Sequence, residues 1–70
     1  MNDIKILLGN RIKELRLEKE LSQEKFALLV GIDRTYVQDI ESGTRNISIV
    51  VIQKIALALG ITISELLIDL

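Results

Sequence analysis

Arg34, Thr35, Tyr36 and Gln38 lie together in one short polar segment, and a further cation follows at Arg45. These side chains have the hydrogen-bonding equipment for reading base edges. Arginine forks onto guanine O6 and N7, glutamine onto adenine, and threonine offers a hydroxyl together with a methyl group for thymine. If the segment is a helix with Val37 and Ile40 turned inward, Thr35, Gln38, Asp39 and Ser42 form its outward arc, flanked by Arg34 and Tyr36. A merely solvated face would carry lysines and glutamates at i, i+4, whereas Arg-Thr-Tyr at a helix start leaves an aromatic in water without benefit to folding. Asp39 is the awkward member, because a carboxylate facing phosphate is repelled. It could accept from cytosine N4, or orient Arg34 or a neighbouring arginine, and the sequence leaves that choice open. Sugar–phosphate contacts are expected from Ser22, Gln23, Ser42, Asn46 and Ser48, partly through the N–H groups that open helices after Ser22 and Ser48. Arg45 could hold a phosphate or reach a base.

The residues that must position this arc run from Leu21 to Gly43, LSQEKFALLVGIDRTYVQDIESG. Ser22 caps a first helix with Phe26, Ala27, Leu29 and Val30 on its apolar face, and Gly31 ends it. Asp33 opens a second, Arg34 to Ser42, which Gly43 closes. Apolar residues at 26, 30, 32, 37 and 40, small Ala27 at the crossing and glycine at 31 fit a helix-turn-helix. A small pattern recurs four times: apolar residue, cap, three others, apolar residue. Leu21-Ser22 to Phe26, Ile32-Asp33 to Val37, Ile47-Ser48 to Ile52 and Ile61-Thr62 to Leu66 each read as a cap with a hydrophobic staple, and Glu65 adds a capping box to the last. With an N-terminal helix from about Asp3 to Glu20, bearing Ile4, Leu8, Ile12 and Leu15 on one face, the expectation is five helices in a single all-α domain spanning residues 1–70.

At 70 residues a single core supplies about 3 to 5 kcal/mol, so a supplement is expected. Cysteine and histidine are both absent, which excludes disulfides and speaks against a zinc site. No metal and no cofactor are expected. Oligomerisation is the remaining supplement. Ile49 to Ile52 and Ile55 to Leu59 leave little of one helix polar, and Ile63, Leu66, Leu67, Ile68 and Leu70 follow in the next. Such helices need cover on most sides, which predicts a two-fold homodimer through Ile49, Val50, Ile63, Leu66 and Leu67. Arg16 and Glu41 fall near helix junctions and are expected to pair structurally. The N-terminus lacks a signal-peptide layout and Gln53 and Lys54 break the last apolar run, so a cytoplasmic location without membrane contact is expected. The net charge of −1 does not by itself suggest nucleic acid, so attraction to phosphate must come from local arrangement.

The segments RIKELR, LSQEKFA, VGI, YVQDIESG and IQKIALALGITISELL resemble the Cro/cI-type helix-turn-helix regulators of bacteria and phages, from about Gly9 to Leu67. The resemblance implies a five-helix lambda-repressor-like fold with the third helix reading DNA and the last helices forming the dimer. It places Gln23 on phosphate, Arg34, Thr35 and Gln38 at bases, Ser42 on the backbone, and Arg16 with Glu41 in the family's ion pair. Arg34-Thr35-Tyr36 followed by IESGTRNIS is most similar to the controller proteins of restriction-modification systems. That likeness implies a double-stranded palindromic operator, one or two dimers per promoter, activation or repression with RNA polymerase as a further partner, base contact by Arg45, and Tyr36 near the dimer axis. Ser42 departs from the arginine or asparagine that many members carry there.

Two other classes compete with this reading. A phage-type repressor or an antitoxin would share most of the pattern, and a partner-binding antitoxin is expected to carry an extra tail. An enzyme is disfavoured: there is no histidine, cysteine, glycine-rich phosphate loop or carboxylate pair in an apolar pocket.

Overall fold

The computed structural model describes residues 3–70, so Met1 and Asn2, which the single-domain reading includes, lie outside the described residues. Five helices and no strand occur among the described residues: α1 Ile4–Glu18, α2 Gln23–Val30, α3 Arg34–Ser42, α4 Ile49–Leu59 and α5 Ile63–Leu66. The all-α reading and its four marked helix starts hold. Ser22, Ser48 and Thr62 each accept a hydrogen bond from the backbone N–H three residues on, at 3.1, 3.1 and 3.0 Å. Asp33 occupies the cap position of α3 with extended backbone but makes no side-chain cap bond. Its helix start depends instead on the Ile32–Val37 staple, whose members pack into the core.

Phe26, Ile12, Ile40, Ile55, Leu66 and Val37 are the largest fully buried side chains, so every helix contributes to one core. Two glycines make the arrangement around α3 possible. Gly31 sits at φ 85°, a left-handed conformation that turns the chain from α2 into α3. Gly9 lies where α1 crosses α3, and a Cβ there would run into the Ile40 carbonyl oxygen.

Several expectations are corrected. α1 ends at Glu18, after which Glu20 takes a φ of 57°. Leu29 and Ile4 are exposed, not part of the apolar faces assigned to them. α5 is a single turn, and Asp69 at φ 62° breaks any continuation through Ile68 and Leu70. Arg11 explains how so short a helix is held: its Nε and Nη2 donate to the carbonyls of Leu66 and Glu65 at 3.2 and 2.9 Å, satisfying acceptors at the helix's C-terminal end. No helix among the described residues is long and apolar enough to cross a membrane.

Candidate nucleic-acid interface

α3 is anchored on one side and open on the other. Val37, Ile40 and Glu41 are buried, while Arg34, Thr35, Gln38 and Ser42 are exposed. Among the described residues no hydrogen bond occupies the side chains of Arg34, Thr35 or Gln38, so their donors and acceptors remain available to a ligand.

The anchor is polar as well as apolar. Arg16 Nε donates to Glu41 Oε2 at 2.7 Å and Arg16 Nη2 to Glu41 Oε1 at 3.0 Å, with side-chain exposures of 7% and 4%. Arg16 Nη1 also donates to the Leu21 carbonyl at 2.6 Å. This is a two-pronged arginine–carboxylate bond in which planarity supplies direction as well as attraction. One guanidinium thereby fixes α1, α3 and the entrance to α2. The expected pairing of Arg16 with Glu41 is present.

Gln23 joins the same network, its Nε2 donating to Glu41 Oε1 at 3.1 Å. An amide nitrogen carries two hydrogens, so one is spent on Glu41 and the other can point outward to a phosphate oxygen. Ser42 behaves differently: its Oγ donates to the Asp39 carbonyl at 3.0 Å and lies 3.0 Å from Thr44 Oγ1. Its hydroxyl is turned back onto its own helix. Ser22 and Ser48 use their hydroxyls as helix caps, accepting from Lys25 N–H and Val51 N–H. Asn46 is exposed in the loop before α4.

Tyr36 is not the free-standing aromatic that its sequence position suggests. It is half-buried against the core and lines an open groove with Ala27, Leu28, Gly31, Ile32 and Asp33. The Arg45 guanidinium carbon stands 4.4 Å from the centre of its ring, within reach of cation–π attraction. Arg45 Nη1 also donates to Asp39 Oδ2 at 3.1 Å. Tyr36 and Asp39 are three residues apart on one helix face, and the left-handed Gly43 turns the following loop back so that Arg45 meets both. Of the partners left open for Asp39, the structure selects a neighbouring arginine.

The residues assigned to dimerisation divide. Ile49 and Val50 are 65% and 56% exposed, and Leu57 on the same helix is 72% exposed, so this chain alone leaves much of α4's apolar surface uncovered. Ile63 and Leu67 are half-buried. Leu66 is 0% exposed and is corrected to a core residue: it is the inner half of the staple with Ile61, and it has no surface to offer a second molecule.

Comparison with known proteins agrees with this geometry. Residues 12–66 match the helix-turn-helix family. The chain is similar to control protein C.MunI of Mycoplasma sp, with 56% identity over 100% of this chain and 96% of that protein. Control protein C.BamHI of Bacillus amyloliquefaciens is 46% identical over 94% of this chain and 83% of its own. Among solved structures, the restriction-modification controller protein C.AhdI from Aeromonas hydrophila superposes with a TM-score of 0.86 at 50% identity, covering 89% of this chain and 94% of that one. The chain therefore belongs to the helix-turn-helix family of DNA-binding transcription regulators, alongside the controller proteins of restriction-modification systems, and is not an enzyme.

Proposed function

We propose that this regulator acts as a homodimer on a palindromic double-stranded operator, with Arg34, Thr35 and Gln38 of each copy entering adjacent major grooves. The observation that carries this reading is the contrast across α3: three unpaired base-reading side chains on one arc, and an opposite arc tied down by Val37, Ile40 and the buried Glu41. A reading helix must be rigid to discriminate, since misplaced donors cost as much as missing ones. Arg45 extends the reading beyond the helix, with Tyr36 beside it. Gln23, Asn46 and the helix starts after Ser22 and Ser48 set register on the backbone. The exposed Ile49 and Val50 support pairing through α4, with Ile63 and Leu67 alongside. Two such dimers on one promoter, contacting RNA polymerase or blocking it in the bacterial cytoplasm, would give activation and repression from one protein.

Selection of bound sequences from a random duplex pool tests the proposal. It should return a two-fold symmetric site whose halves are centred about one helical turn, roughly 34 Å, apart. An asymmetric single half-site, together with monomeric sedimentation at tens-of-micromolar concentration, would rule it out.

A further inference from the structure

We propose that Asp39 is a specificity-determining positioning residue, holding Arg45 on the Tyr36 ring so that the guanidinium serves a base edge and not the nearest phosphate. The assignment rests on the reading that Arg45 reaches a base, and deepens it.

A carboxylate on the DNA-facing side of a reading helix weakens attraction to every phosphate, so its presence needs a compensating use. The structure supplies one. Asp39 Oδ2 takes one donor of Arg45 at 3.1 Å, and the ring of Tyr36 lies 4.4 Å from the guanidinium carbon. A guanidinium has five N–H donors in a fixed plane. Pinning one nitrogen and one face fixes the direction of the others. The platform is firm because Tyr36 is itself half-buried against the core cluster to which Ala27 of α2 belongs. The approach of the loop is firm too: the Asp39 carbonyl accepts from Thr44 N–H at 3.1 Å, Thr44 Oγ1 at 3.3 Å and Ser42 Oγ at 3.0 Å. One residue thus holds the loop by its backbone and the arginine by its side chain.

Pairing also neutralises Arg45. A neutralised cation adds little to the sequence-independent attraction that all DNA exerts. A base edge presenting two acceptors can still use its remaining donors. Discrimination is a difference of affinities, and a group that lowers binding to the wrong sites raises it as effectively as a new contact.

The experiment compares wild type, Asp39→Ala, Asp39→Asn, Arg45→Ala and the Asp39→Ala/Arg45→Ala double variant on two duplexes: the winner of the random-pool selection and a scrambled duplex of equal length. Asp39→Ala should bind the scrambled duplex about threefold more tightly, with the salt slope steeper by about one, because a cation is released to phosphate. Its preference for the selected duplex should fall about tenfold. Asp39→Asn keeps an acceptor for Arg45 and should recover most of the preference while retaining the steeper slope. In the Arg45→Ala background, Asp39→Ala should leave the preference unchanged. In the free protein, the Arg45 side-chain proton resonances should lose their Tyr36 ring-current shift in Asp39→Ala. A variant that loses affinity for both duplexes equally, or keeps the wild-type preference while Arg45→Ala loses it, would overturn the role of Asp39 alone. An Arg45→Ala protein with wild-type preference would overturn the base-reading role of Arg45 and Asp39 with it.

Discussion

Arg16 and Glu41 meet through two near-parallel hydrogen bonds of 2.7 and 3.0 Å inside the domain, 25 residues apart in sequence. Removing one partner strands a buried charge, which costs about 3–5 kcal/mol. That matches the whole stability expected of a domain this small, about 3–5 kcal/mol. Glu41→Ala should therefore lack a folded baseline in urea titration followed by circular dichroism. Replacing both residues, Arg16→Met with Glu41→Leu, should restore cooperative unfolding, since an apolar pair of similar volume avoids the desolvation of two ions. A double variant as unstable as the single one would show that the pair contributes more than charge compensation.

Gly9→Ala should destabilise the fold, against the ordinary rule. Within a helix that change normally gains about 1 kcal/mol. Here the new Cβ would strike the Ile40 carbonyl oxygen and push α1 off α3. Forced overpacking against backbone costs about 2–3 kcal/mol, the upper part of its range, so after the helix gain the expected net loss is about 1–2 kcal/mol. Thermal unfolding measures it, and an unchanged or higher midpoint would mean that the helices can separate freely.

Val50→Asp should yield a folded monomer, because Val50 is exposed in the single chain and belongs to the proposed dimer face. Leu66→Ala should act on the fold instead, costing about 2–5 kcal/mol as a fully buried leucine does. Sedimentation paired with circular dichroism separates the two outcomes. A Val50→Asp dimer would move the interface away from α4.

The cap of α5 should weaken in acid. Thr62 N–H donates to Glu65 Oε1 at 3.0 Å, and this backbone bond, with the Thr62 side chain second, holds the Glu65 carboxyl below its ordinary value of 4.5. A lowered folded value means the carboxylate's contribution is complete above pH 4.5 and is lost as pH falls through the lowered value. The stability advantage of wild type over Glu65→Gln should shrink as pH falls below 4.5 in parallel thermal melts. A constant difference would mean that the carboxylate does not act through its charge.

What the sequence discloses depends on the range of the physics involved. The staples at Leu21–Phe26, Ile32–Val37, Ile47–Ile52 and Ile61–Leu66 are local, so spacing alone marks the starts of α2, α3, α4 and α5. Pairing of Arg16 with Glu41 was legible because each sits at a helix junction. Leu66 reads from the sequence as an interface residue because composition cannot say which side of an apolar helix faces its own core. A neighbouring arginine was only one of several partners open to Asp39, and the stacking of Arg45 on Tyr36 left no trace, because both depend on a loop folding back beyond Gly43 and no periodicity reports such a return. Arg11 left a fainter trace: three residues after Leu8 and four before Leu15, it borders the apolar face of α1 and can reach across to α5.

In the proposed complex α3 reads bases while the start of α2 only grips the backbone. Competitive binding of Arg34→Ala and Gln23→Ala to the selected duplex and to scrambled DNA tests it most directly. Arg34→Ala should lose about 1–3 kcal/mol of discrimination per half-site, and Gln23→Ala should weaken both duplexes by a common factor. Equal losses on both duplexes for both variants would contradict the account.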